Sequence, residues 1–544
     1  MSQLYQRVRA AGGRIGPAEA VFAGVLAAAL ALRLWSIDHG LPFVFNPDEA
    51  EHFVTPAVGM FDGSLNPGYF DNPPALTYLL YATLRALEAF GGEALAAAGR
   101  PSEAAFLTGR LVVALLGTLV VALVYWAGTR YFERRVGLVA AALLAFSFLP
   151  VFYSKQALND VVTLVPLTVG LVGCLLVYER GRPFDWALAG GALGAAAATK
   201  YTAGAMAATV ALAALLRVLD RRNVLVPTAL GLVGAGVVFT AAFLVLHPYS
   251  LLDFASFREA VADQSGTAGG RQKLGQEDVP GPLYYLWTLT WGLGWLPAVA
   301  ALGGLALALR ADFRRGLLLA SFPLLLLGFL SLQARYFGRW YMPAYPALAM
   351  LAGYAVVRVA DAVPLPRARR ALRPALLAAL AVLLVGQGLA SAVRSSAVLA
   401  EDDTRALARE WLRTEVPAGA RVAAEPFLPE GFLDGYRTRA VERPFDIYER
   451  RLGPELVDRY ASEGYCWVVV GSFQKERGLA AGLANARAYY ARLEEASVQT
   501  LRFSPYRLGA EPVDFNFDLS FNFLPRAYER PGPVVEVHRL GGCG

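Results

Sequence analysis

The sequence has 544 residues, 56% of them hydrophobic, with a mean hydropathy of +0.42 and a formal net charge of +6. Soluble globular chains carry about 45–50% apolar residues, so this composition excludes a wholly soluble protein. The excess positive charge lies in short arginine clusters between apolar runs, not on one stripe or tail, which argues against a nucleic-acid partner.

In chain order, runs long and apolar enough to cross a bilayer fall at about 18–36, 105–129, 136–153, 161–178, 184–199, 201–216, 224–246, 283–309, 316–333, 341–360 and 374–393. The first run lacks a small-residue cleavage site and reads as a retained anchor. The expectation is therefore a mainly α polytopic membrane protein of about eleven transmembrane helices. Residues 1–399 form its body, and 400–544 form a small C-terminal extracytoplasmic α/β domain.

Arginine sets the orientation. With a cytoplasmic N-terminus, the inner segments carry Arg7, Arg9 and Arg14, then Arg130, Arg134 and Arg135, Arg180 and Arg182, Arg217, Arg221 and Arg222, and Arg310, Arg314 and Arg315. Arg358, Arg367, Arg369, Arg370 and Arg373 complete the series. The short outer loops hold mainly Lys155, Lys200, Arg335 and Arg339. Segment 37–104, loop 247–282 and the tail then lie outside. Active-site residues among them would face the extracytoplasmic side of a bacterial inner membrane.

In the tail, Asp402–Glu415 and Asn485–Ala496 read as helices, and Arg421–Ala424, Tyr465–Val470 and Val534–Leu540 as strands. It has no P-loop, GxGxxG or GxSxG element. Cys466 and Cys543 lie there, with free thiols the expectation over a disulfide. No Cys/His spacing suggests a metal site, and no cofactor is expected.

Residues Phe45 to Phe53 read FNPDEAEHF. Asn46 is a good N-cap, Pro47 a good first helical residue, and Glu49 completes a capping box. Asp48, Glu51 and His52 share one helix face by spacing. Further along, Asp71-Asn72-Pro73-Pro74 precedes an amphipathic run to Phe90 that suits a helix on the membrane surface.

These stretches resemble the first outer loop of glycosyltransferase family 39, which includes protein O-mannosyltransferases and lipid A aminoarabinose transferases of the GT-C fold. Asp48-Glu49 with His52-Phe53 is similar to the family's acidic pair, and Pro73-Pro74 to its membrane-parallel helix start. Ser154 to Asp160, Thr199-Lys200 and Arg339-Trp340-Tyr341-Met342-Pro343-Ala344-Tyr345-Pro346 look like its later outer elements. Asn72 stands where several relatives carry a basic residue.

The resemblance implies inverting transfer of a sugar from a polyprenyl-phosphate carrier to an acceptor hydroxyl, without a metal. Asp48, paired with Glu49, is the implied catalytic acid pair, with Asp48 as base. Arg335, Arg339, Lys200 and Lys155 are the candidates for donor phosphate. Glu51, His52, Asp71 and Asn72 are candidates for the acceptor or the loop. Two other readings share many spans and intramembrane charges: a transporter or lipid flippase, and a polymerase or ligase of surface glycans. A transporter should show paired repeats, and none is visible.

Overall fold

The computed structural model describes residues 16–91, 96–97, 100–270, 272–276, 278–364, 366, 371–426, 428–429, 431–440 and 452–542. Arg7, Arg9, Arg14, Arg367, Arg369, Arg370 and Cys543 lie outside the described residues.

Among these residues, nine helices are long and apolar enough to cross a membrane. The eleven expected spans differ from this at two places. Run 136–153 is two helices, Arg134–Phe146 and Phe148–Tyr153, separated at Ser147, whose backbone is extended (ψ 136°). Pro150 explains the break: it has no N–H for an upstream carbonyl, and it fits the first turn of a new helix. Run 184–199 is the helix Pro183–Thr199, at 17 residues a short one. It packs against Leu225–Leu246 through Gly190 and Gly194. A Cβ at either glycine would collide with the backbone carbonyl of Ala235 or Phe239. Small residues at such a crossing let two apolar helices approach closely where hydrophobic burial cannot drive them together.

The arginine-rich segments collect at one end of the bundle, where they meet acids from neighbouring helices. Arg135 pairs with Asp361 at 2.9 Å, Arg314 with Asp220 at 3.0 Å and Arg315 with Glu179 at 2.8 Å. Arg130 also pairs with Glu179, and Arg134 with Glu19. The opposite end carries Asp48, Asp160, Lys200 and Arg339, described below.

The tail builds a five-stranded mixed sheet. Its strands are β1 (Arg421–Ala424), β2 (Arg437–Ala440), β3 (Tyr465–Gly471), β4 (Ser497–Phe503) and β5 (Val535–Leu540), in the order β2-β1-β3-β5-β4. β1 runs parallel to β2 and β3, and β5 antiparallel to β3 and β4. Side chains alternate across β3. Val468 and Val470 pack with helices Glu455–Ser462 and Ala484–Ala496, and Val469 packs with helix Thr404–Glu415 on the other face. The expected elements are present, joined by β2, β4 and the helices Glu455–Ser462, Ser472–Ala480 and Phe517–Phe521. Cys174 is buried and free. Cys466 is disulfide-bonded, which corrects the free thiol expected there. Its strand lies beside β5, with Trp467 opposite Arg539, so the end of β5 comes close to the start of β3.

The tail is keyed into the helical body. Arg394, on helix Arg373–Leu399, donates to the carbonyl oxygens of Leu524 at 2.7 Å and Tyr528 at 3.0 Å, and also to that of Pro525. Tyr153 donates its hydroxyl to Asn522 at 3.0 Å, and the Gly338 N–H donates to Asp518 at 3.0 Å. Arg405 lies over the Phe45 ring at 3.9 Å.

Candidate active site

Segment 37–104 delivers the acidic pair as the sequence suggests. Asn46 caps a short turn, Pro47–Glu49, by accepting the Asp48 N–H at 3.1 Å, and its own amide donates to Gln156 at 2.5 Å. A wider π turn, Ala50–Val54, follows. On such a turn adjacent residues point about 100° apart, so Asp48 and Glu49 take different environments.

Glu49 is fully buried. It receives both arms of Arg110, at 2.7 and 3.0 Å, and the Ala157 N–H at 3.0 Å. It closes no capping box, which corrects that expectation: the bidentate arginine on helix Glu103–Tyr131 holds the carboxylate inward. Arg110 also donates to the carbonyls of Ile37 and His39, at 2.9 and 2.8 Å. The pair thus ties the segment that follows the first span to the bundle.

Asp48 faces the other way. Its Oδ2 lies 2.5 Å from Arg339 Nη2, and its Oδ1 lies 3.8 Å from His52 Nδ1. Burial alone would raise this carboxyl, but the charges of Arg339 and His52 outweigh it and hold the group down at about 2. Arg339 continues toward Asp160, with Nε 3.9 Å from Oδ2, and Asp160 in turn pairs with Lys200. Charges therefore alternate through Asp48, Arg339, Asp160 and Lys200 at the helix ends opposite the arginine-rich segments.

Asp48 and Arg339 line a cavity of about 230 Å³ between the helical body and the tail. Lys273 and Arg477 line it as well. The Lys273 ammonium lies 4.5 Å from the ring centres of both Phe337 and Phe517, and the Arg477 guanidinium 5.3 Å from that of Phe517. Burial first, then the neighbouring Arg477, pulls the Lys273 amine down to about 7. Asp518 accepts from Tyr284 and from Gly338, and burial raises its carboxyl.

Of the four cations expected to meet phosphate, Arg339 alone lines this cavity. Lys200 is occupied by Asp160. Lys155 is buried and donates to the Trp35 carbonyl. Arg335 lies near enough to Arg477 to influence it electrostatically, but outside the cavity lining. Glu51, Asp71 and Asn72 do not line it either. Asn72 donates to the Tyr69 hydroxyl at 2.9 Å, and the Tyr69 ring stacks on His52 at 4.8 Å, so the loop steadies His52 beside Asp48. Among the described residues, no group of three or more His, Cys, Asp or Glu side chains gathers as metal ligands.

Lys273, Arg477 and Asp518 were not foreseen. Lys273 and Arg477 sit in polar stretches where a charge reads as solvated surface, Asp518 is a lone acid in the aromatic run 515–523, and only the docking of the tail encloses them. Asp48 therefore offers a proton-accepting edge beside cations suited to a phosphate.

A family model described as dolichyl-phosphate-mannose-protein mannosyltransferase matches residues 103–247. Among curated proteins none matches this sequence. The structure is similar to that of ArnT from Cupriavidus metallidurans bound to undecaprenyl phosphate, with a TM-score of 0.54 and 16% identity over 96% of this chain and 98% of that one. It is also similar to the Archaeoglobus fulgidus oligosaccharyltransferase in the apo form, with a TM-score of 0.55 and 12% identity over 92% of this chain and 75% of that one. The chain has the GT-C fold, and the resemblance read from its motifs agrees with the family model and with these neighbours.

Proposed function

We propose that this protein is a membrane glycosyltransferase that moves a sugar from a polyprenyl-phosphate carrier to an acceptor hydroxyl, with inversion, on the extracytoplasmic face. The observation that carries this reading is the Asp48–Arg339 pair in a cavity shared by the body and the tail. The similar structure of ArnT, which holds undecaprenyl phosphate, supports a lipid-linked donor.

Asp48 takes the proton of the acceptor hydroxyl while that oxygen attacks the anomeric carbon. The bond from anomeric carbon to phosphate oxygen breaks, and its electron pair stays on the phosphate. A phosphate leaving group is a weak base, so no general acid is required. Arg339, Lys273 and Arg477 stabilise its charge, the arginines through their planar forks. In the unliganded protein Arg339 holds Asp48 too acidic to be an effective base. A bound phosphate competes for the same guanidinium, which lets the Asp48 carboxyl rise toward its ordinary value as the donor arrives.

Purified protein incubated with a panel of radiolabelled polyprenyl-phosphate sugars tests the reading. Wild type should consume one donor, and Asp48→Asn should not. Reconstituted protein that moves a lipid between leaflets while consuming no donor would make it a flippase instead.

A further inference from the structure

The cavity has two chemically unlike poles. Arg339, Lys273 and Arg477 make one of them cationic. At the other, the tail contributes Gln474 and Glu425. Gln474 is 3% exposed, and its amide donates to the Pro426 carbonyl at 3.3 Å. Its Oε1 is buried with no hydrogen-bond partner among the described residues. Leaving such an acceptor unmet costs about 1–3 kcal/mol. Glu425, 4% exposed, follows the end of β1, and its oxygens accept from the Tyr490 hydroxyl at 2.5 Å and the Gly471 N–H at 3.0 Å. Each carboxylate oxygen keeps a further lone pair.

We propose that Gln474 and Glu425 form the recognition site for the ring hydroxyls of the transferred sugar while its lipid phosphate sits on the cationic pole. This rests on the transferase reading above. Gln474 Oε1 presents an acceptor, and Glu425, whose carboxyl burial pushes up to about 7, presents acceptors in its ionised form, so the matching ligand group carries O–H donors. Spacing agrees. Gln474 and Arg477 are three positions apart on helix Ser472–Ala480 and share a face, about 5–6 Å apart at their Cβ atoms. Arg477 and Lys273 flank the same Phe517 ring. The hydroxyl pole therefore lies one helical turn from the phosphate pole, about the reach of a sugar ring attached to that phosphate. Phe473 and Phe521, with ring centres 4.4 Å apart, add an apolar wall suited to the C–H face of the ring.

The test compares, in the full-length protein, the affinity for undecaprenyl phosphate with that for the undecaprenyl-phosphate sugar that wild type turns over. Wild type should bind the sugar-bearing lipid more tightly. Gln474→Leu, close in volume but without an acceptor, should lose about tenfold of that gain, the worth of one hydrogen bond. It should bind the bare lipid as wild type does, which reports an intact fold. A Gln474→Leu protein that keeps the full gain overturns the assignment. So does one in which the loss falls equally on the bare lipid, or only on the KM of the acceptor. If wild type consumes no donor in the panel, the underlying transferase reading fails instead.

Discussion

Asp48 Oδ2 and Arg339 Nη2 are 2.5 Å apart across 291 positions of sequence, and this pair joins the segment after the first span to the start of a late span. Because Arg339 also reaches Asp160, it is the cation between two carboxylates and the one best placed to be shared with an incoming anion.

Asp48→Asn and Glu49→Gln should fail in different ways. The first removes a positioned base and should lower turnover by about 10²–10⁴-fold, with a smaller loss of thermal stability than the second because Arg339 keeps Asp160 nearby. The second leaves Arg110 buried without its counter-charge, and breaking such a pair costs about 3–5 kcal/mol. Turnover and melting measured on both proteins decide the roles. A stable, inactive Glu49→Gln protein would exchange them.

Arg339→Ala should weaken donor binding, and Arg339→Lys should restore it in part, because the bidentate fork is lost. It should also change the acid response. Asp48 is depressed in the folded protein, so its contribution to stability is present above the ordinary carboxyl value and is lost as pH falls toward about 2. In Arg339→Ala that acid-dependent loss should disappear, as unfolding between pH 4 and pH 2 will report.

Lys273 is depressed to about 7, so at pH 8 most of it is neutral in the free protein. A phosphate bound beside it favours the ammonium, and donor binding at that pH should take up close to one proton. Calorimetry in buffers of different ionisation enthalpy measures the uptake, which Lys273→Met should abolish. The depression also costs stability below about 7, a cost that is relieved as pH rises toward the ordinary lysine value. Lys273→Met should therefore be the more stable protein at neutral pH.

Arg394→Met removes the donors to the carbonyls of Leu524, Pro525 and Tyr528. Orphaned carbonyls cost about 1–3 kcal/mol. Segment 515–530 should then exchange its amide hydrogens faster while the sheet keeps its protection, and turnover should fall because Asp518 and Phe517 sit on that segment. Unchanged exchange there would show that the clasp carries no load.

Single cysteines at the exposed positions Arg222 and Ser462 should label from opposite sides of the membrane. Labelling from one side would overturn the orientation read from arginine.

Much of this protein was determined by one-dimensional properties of its sequence. Hydropathy summed over a span marks where helices cross. Arginine density separates the two ends of the bundle, and the ion pairs of Arg135, Arg314 and Arg315 bring those segments together as expected. The Asp48-Glu49 pair and Arg339 were visible as charges at span ends, where charge is costly to keep without use. Only the tertiary structure decided which acid is available, because one step around a helical turn sends Glu49 into both arms of buried Arg110 and Asp48 to Arg339. It also decided which cations line the cavity: Lys200 pairs with Asp160 outside it, while Lys273 and Arg477 become cavity walls once the tail docks. Burial over a helix follows from the residues next to it in the chain. The partner of a single charge depends on distances between segments hundreds of residues apart, and no local pattern encodes them.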